Sequence, residues 1–208
     1  MNLKKIWQFI WHDDSIWSWL VSAILAFLIV KFLFLPGLGL ALGTSHPIVA
    51  VVSGSMEHKT VGADGAYGAC GVFITEKKKL SFDEFWNMCG AWYQEQVSIT
   101  KEQFSQYNFK NGFNTGDIMV ILGMKPEKLT VGEVIVFDVG RSDPIIHRIV
   151  GIYESNGKRV FHTKGDHNSA SSNSESEISE EQIIGKAWFR IPWFGYVKLL
   201  AVRLIGMF

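Results

Sequence analysis

Residues 16–35 are apolar apart from Ser18, Ser22 and Lys31, and no other stretch of the chain rivals them. A run of about 20 such residues is what a helix needs to cross about 30 Å of hydrocarbon. Lys31 lies near one end, where its long stem can carry the charge to the headgroups. Trp7, Trp11, Trp17 and Trp19 lie at or just before the other end, as an interfacial aromatic belt requires. Pro36-Gly37 is expected to close the helix. The apolar core is longer than that of a cleaved signal peptide, so the segment reads as a retained anchor, although Ala41-Leu42-Gly43 would pass as a cleavage site. Lys4 and Lys5 favour a cytoplasmic N-terminus. The expected organisation is an N-terminus and anchor at residues 1–35 and an extracytoplasmic domain at 36–208, held to the cell membrane by a single pass.

With 208 residues, 48% of them hydrophobic, the chain holds one domain of ordinary size besides the anchor. Twenty basic and 20 acidic residues balance, so no global field points to nucleic acid as a partner. No Walker loop, dinucleotide fingerprint or zinc-type Cys/His cluster occurs, which argues against nucleotide and metal chemistry.

Past the anchor the pattern changes to short strands. Residues 47–52, 117–122, 133–139, 145–153, 159–163 and 183–191 are rich in β-branched and aromatic side chains, with turn signals between them. The expected fold is mostly β, a barrel-like or folded-sheet domain. Residues 57–115 have a different texture and read as a small helical insert. Residues 62–69 look like a loop. Ser81 with Glu84, and Thr100 with Gln103, form capping boxes, and Phe82, Phe85, Trp86, Cys89, Trp92 and Tyr93 share one helix face. That aromatic face either packs on the barrel or forms a lid that contacts substrate or lipid. Cys70 and Cys89 both lie in the insert. They either form a disulfide, worth on the order of 3 kcal/mol for a loop of this length, or remain buried thiols.

Residues 169–178, rich in Ser and Glu, read as a solvated, mobile loop. Residues 188–197 are too aromatic for an ordinary exposed edge and suit either bilayer docking or packing of a final strand. The closing residues 198–208 are too short and too charged for a second span.

The strand ends carry residues suited to acyl transfer. Serine needs a neighbouring base to become a nucleophile. Near neutral pH that base is most simply a histidine held in one tautomer by a carboxylate. Ser53-Gly54-Ser55-Met56 follows the first strand, His147 sits in Ile146-His147-Arg148-Ile149, and Asp166 in Lys164-Gly165-Asp166-His167. Six histidines are present, so spacing alone does not choose among them.

Taken in order, Ser53-Gly54-Ser55-Met56-Glu57, Gly116-Asp117-Ile118, Ile146-His147-Arg148-Ile149-Val150 and Lys164-Gly165-Asp166-His167-Asn168 resemble type I signal peptidases of the archaeal and endoplasmic-reticulum branch, which carry histidine where the bacterial branch carries lysine. The resemblance covers the anchor and about residues 36–56 and 115–200. It implies a membrane-anchored serine endopeptidase with Ser55 as nucleophile and His147 as general base. Ser53, through its hydroxyl, and the Ser55 amide would be oxyanion donors. Met56 would shape the substrate cleft, and Asp117 would be a structural acid. It implies no cofactor and no metal. The partners would be signal-peptide-bearing precursors cut after small residues, the lipid bilayer and the translocation channel. Members of this branch usually carry a second aspartate a few residues after the Gly-Asp pair. Here that stretch has none, so Asp166 is expected to orient His147, with Glu175 as its substitute or a bare Ser/His dyad. Two other readings stand beside this one: an inactive membrane-anchored binding module, and a LexA-like Ser/Lys protease with Lys164 as base.

Overall fold

The computed structural model describes residues 3–141 and 143–196. The segment 198–208 lies outside the described residues, as does Val197 at the end of the aromatic stretch. The chain divides into two compact units, Met1–Pro47 and Ile48–Phe208.

In the first unit, α1 (Leu3–His12) is followed by α2 (Ile16–Ile29), whose N-cap Ser15 accepts the Ser18 amide. The helix does not stop at Pro36-Gly37. It passes through a π-helical stretch, Val30–Phe34, into α3 (Leu35–Leu42), with Pro36 in the first turn of α3. Proline inside an α-helix removes one amide donor, and its ring strikes the carbonyl four residues back. The wider turn, in which the Leu35 amide reaches back to the Val30 carbonyl, gives that ring room. Gly43, in the left-handed region at φ +65°, ends the run, and the Thr44 amide bonds back to Gly39. The result is one helix of 27 residues, long and apolar enough to cross a membrane.

The second unit is built on a seven-stranded antiparallel sheet in the order β1-β5-β10-β6-β7-β8-β9. Its strands are β1 (Ile48–Ala50), β5 (Ile118–Leu122), β6 (Val134–Phe137), β7 (Ile145–Ser155), β8 (Lys158–Lys164), β9 (Ile178–Ser179) and β10 (Ile183–Ile191). Register shifts in β10 and β7 mark bulges that curl the sheet. The mostly-β architecture with one apolar N-terminal helix is as expected.

β7 decides where the chemistry lies. Ile146 to Val150 are all buried, so both faces of the strand are covered. Side chains alternate across a strand. His147, opposite Ile135 on β6, belongs to the face with Phe137, Ile149 and Phe161. Arg148, opposite Lys164 on β8, points the other way. There the insert covers the sheet.

The insert holds α4 (Phe82–Val97) and α5 (Lys101–Ser105), both started by the expected capping boxes. Phe85, Trp86, Tyr93 and Phe104 form one cluster with Val150 of β7, so the aromatic face packs inward rather than serving as a lid. Residues 62–69 depart from expectation. Instead of a loop, β2 (Val61–Ala63), β3 (Ala66–Ala69) and β4 (Val72–Ile74) form a three-stranded sheet. Asp64-Gly65 and Cys70-Gly71 all have positive φ. That makes each pair a two-residue hairpin turn whose twist matches the strands it joins. Cys70 and Cys89 are joined, with their sulfurs 2.04 Å apart.

Two further readings are narrowed. The Ser/Glu-rich stretch is largely solvated as expected but is not all loop, because α6 (Asn173–Ser176) forms there and buries Glu175. Of the two alternatives for the aromatic stretch, core packing does not hold, because Trp188, Trp193 and Phe194 are 60%, 75% and 67% exposed.

Candidate active site

Ser55 follows β1, in a turn closed by the Glu57 amide on the Gly54 carbonyl. Val51 and Asp117 hold this segment to the start of β5: the Val51 amide donates to the Asp117 carbonyl, and the Gly116 amide to that of Val51. The Asp117 carboxylate is buried and accepts the amides of Asn114 (2.8 Å) and Trp193 (3.2 Å), tying three chain segments together.

From β7, His147 places Nε2 2.8 Å from the Ser55 hydroxyl. Its other nitrogen, Nδ1, meets the Glu175 carboxylate. The carboxylate against His147 is thus Glu175, the expected substitute, and not Asp166. Asp166, expected to orient His147, lies on the far side of the strand. It takes two bonds from Arg148 (Nε 2.9 Å, Nη2 2.7 Å), one from Tyr93 (3.0 Å), and pairs with His58 (3.1 Å). The reason is the alternation of β7. Arg148 is fully buried on the insert face and requires a carboxylate there. Its remaining donors go to the Asn108, Phe109 and Gly132 carbonyls.

Glu175 is held by local chemistry. Ser172 is the N-cap of α6, and both its amide (2.8 Å) and its hydroxyl (2.6 Å) donate to Oε2, leaving Oε1 for His147. Burial opposes the charge of this carboxylate. Bonding to His147 and its charge, with the Ser172 donors, outweigh that and bring its pKa down to about 2. Asp166 is likewise held far below the usual carboxylate range: burial raises it, and Arg148 and His58 more than reverse the effect. The Ser172-x-x-Glu175 pattern is a capping signature, and it was the available signal for an ordered turn here.

The other expected residues divide. The Ser53 hydroxyl is 3.1 Å from that of Ser55, and both residues line a cleft of about 410 Å³. Ala50, Val52, Pro144 and Ile145 give this cleft apolar walls, and His147 and Glu175 also line it. Met56 does not line it. It is buried in the core with Val51 and Phe113, and its sulfur accepts the Asp166 amide. Lys164, the alternative base, is buried on the insert face over the Trp92 and Tyr93 rings and donates to the Gly165 carbonyl. Burial lowers its pKa to about 8 against the pull of Asp166 and Glu175. The sequence gives no sign that His58, Tyr93 and Arg148 claim Asp166. No group of His, Cys, Asp and Glu suited to a metal occurs among the described residues.

A serine against an imidazole that a carboxylate backs is the arrangement used for acyl transfer. Among curated proteins, the chain is similar to the signal peptidase complex catalytic subunit SEC11C of Homo sapiens, 30% identical over 95 residues, covering 42% of this chain and 50% of that protein. The SEC11 subunit of Metarhizium robertsii is 33% identical and the sec11 subunit of Sclerotinia sclerotiorum 35%, each over 95 residues covering 42% of this chain and 55% of the relative. The chain spans about half the length of the curated relatives it matches. No family model matches it. The resemblance to signal peptidases of the endoplasmic-reticulum branch is borne out by these relatives.

Proposed function

We propose that this chain is a membrane-anchored serine endopeptidase that removes signal peptides from translocated precursors, with Ser55, His147 and Glu175 as its catalytic set. The observation that carries the reading is the continuous bonding from the Ser55 hydroxyl through His147 to Glu175. With Nδ1–H held by Glu175, His147 presents a lone pair on Nε2 to the serine. Ser55 Oγ attacks the carbonyl before the cut as Nε2 takes its proton. The tetrahedral oxyanion is stabilised by the Ser53 hydroxyl and the Ser55 amide. His147 then protonates the leaving amine, and water, activated by the same nitrogen, releases the acyl group. The apolar cleft walls at Ala50, Val52 and Ile145 suit small side chains ahead of the cut.

The 27-residue apolar helix supports attachment to a bilayer, and the exposed Trp188, Trp193 and Phe194 suit headgroup contact. A cytoplasmic N-terminus, an extracytoplasmic catalytic unit and access to the translocation channel complete the reading. The test is cleavage of a precursor by the detergent-solubilised chain together with fluorophosphonate labelling. Ser55→Ala should abolish both while leaving the protein folded. Retained cleavage would exclude the serine mechanism, and a folded wild type that neither labels nor cuts would leave a binding module.

A further inference from the structure

The proposed catalytic set leans on a turn, residues 164–168, that the insert grips from behind. A Cβ added at Gly165 would stand 2.8 Å from His147 Nε2 and 2.9 Å from the Ser55 carbonyl, so this turn packs closely beside the imidazole and the main chain of Ser55. The His167 amide donates to the Ser55 carbonyl at 2.8 Å. On its other side the turn meets the tip of the β3–β4 hairpin. The Cys70 amide donates to the His167 carbonyl at 2.9 Å, Cys70 Sγ lies 3.1 Å from the Asp166 carbonyl oxygen, and Tyr93 of α4 holds the Asp166 carboxylate.

Cys70 sits at φ +55°, a conformation that suits glycine and is unfavourable for a side chain with a Cβ. The neighbouring turn position, Gly71, is a glycine; position 70 is not. What the cysteine provides there is its bond to Cys89 in α4, which fixes the tip against the turn.

Resting on the assignment of Ser55 and His147 above, we propose that Cys70 is a positioning residue: its bridge to Cys89 holds position 70 in the left-handed conformation from which its amide grips the 164–168 turn, and so sets the geometry of the nucleophile and base. The insert then acts on catalysis as well as stability, and activity depends on redox state. A dithiol that reduces the bridge passes two electrons and two protons to the cysteine sulfurs and itself closes to a disulfide. Freed from Cys89, Cys70 can leave its unfavourable backbone conformation, and its amide no longer holds His167.

The experiment compares the detergent-solubilised full chain, oxidised and after dithiothreitol, with Cys70→Ala/Cys89→Ala and Cys70→Gly/Cys89→Ala, all well below their melting temperatures. Reduction and the double-alanine variant should lower kcat by about 10- to 10²-fold, the scale of small misplacements at a reacting centre, with little change in KM. Amides 70 and 167 should exchange hydrogen faster. Cys70→Gly/Cys89→Ala should recover most of kcat, because glycine takes the left-handed turn freely and still offers its amide. If the bridge only stabilises the fold, Tm falls while kcat, and exchange at 70 and 167, stay at oxidised values; that result overturns the proposal. So does a glycine variant no better than double alanine. Should the oxidised chain neither cleave nor label, the proposed function fails, and the exchange comparison alone judges the brace. If double alanine does not fold, reduction of preformed wild type and the glycine variant carry the test.

Discussion

Glu175→Gln is the substitution that most sharply separates the two candidate carboxylates. The shape of the side chain is kept, so the consequence follows from hydrogen-bond direction. The Ser172 amide can only donate, and it donates to Oε2 of Glu175 at 2.8 Å. In the glutamine variant that position must hold the amide oxygen, which places the NH2 group against His147 Nδ1. Nδ1 must then be the unprotonated nitrogen, and the ring proton moves to Nε2, which faces Ser55 at 2.8 Å. An imidazole in that tautomer cannot accept the serine proton. The expected loss in kcat is on the order of 10⁴, the cost when a triad carboxylate is neutralised and the wrong tautomer is held. That corresponds to about 5 kcal/mol of transition-state stabilisation. KM and the melting temperature should change little by comparison. Cleavage of a precursor peptide under saturating conditions measures kcat, and circular dichroism confirms the fold. A glutamine variant that turns over at the wild-type rate would refute the assignment, most directly if Asp166→Asn were folded and inactive.

Asp166→Asn should act chiefly on stability, by about 3–5 kcal/mol, because it leaves the buried Arg148 guanidinium without its counter-charge; denaturant unfolding measures this, and an unchanged midpoint would contradict it. Ser53→Ala should lower kcat by roughly 10²–10³ if its hydroxyl is one of two oxyanion donors, and a wild-type rate would remove Ser53 from the site. Lys164 is held at about 8 in the folded chain against an ordinary 10.5, so between those values the unfolded chain carries a proton that the folded one has released. Stability should therefore rise with pH across that window, by up to about 3 kcal/mol from this group. Lys164→Met should flatten the rise, and unfolding midpoints at pH 7.5 and 10 for both proteins provide the check.

Local signals that act within a few residues were legible in the sequence. Enrichment in β-branched and aromatic residues between turn signals located the main strands, and the Ser81/Glu84 and Thr100/Gln103 boxes located both insert helices. The failures came where a local signal was outweighed or passed over. Pro36 is a stop signal taken alone, but the π-helical stretch before it lets the helix run to Leu42. Asp64-Gly65 is a hairpin signal hidden in a glycine-rich stretch that resembled a loop by composition. Ser172 and Glu175 form a capping box of the kind recognised elsewhere, yet the serine-rich composition around them suggested solvent.

That Glu175 rather than Asp166 meets His147 has a reason that lies in β7 itself. Asp166 sits in a motif-like position a few residues from the strand partner of Arg148, and counting along the chain makes it the natural companion of His147. Adjacent strand residues face opposite sides, however, so His147 and Arg148 compete for carboxylates from two separate environments. Arg148 is fully buried among aromatic rings of the insert, 4.7 Å from the Phe104 ring centroid, where an unpaired guanidinium would be costly. It therefore takes the nearest carboxylate that the 164–168 turn can deliver, which is Asp166. With that acid committed to the insert face, the imidazole face must be served from elsewhere. α6 places Glu175 there, its longer side chain anchored by Ser172 so that only one oxygen remains for His147. On this view Arg148 decides which carboxylate reaches the base. Replacing Arg148 and Asp166 together by Met and Leu should leave Glu175 on His147 and keep the pH dependence of kcat that Glu175→Gln would change. A double variant that folds but shows the Glu175→Gln profile would mean that the two faces of β7 are not independent.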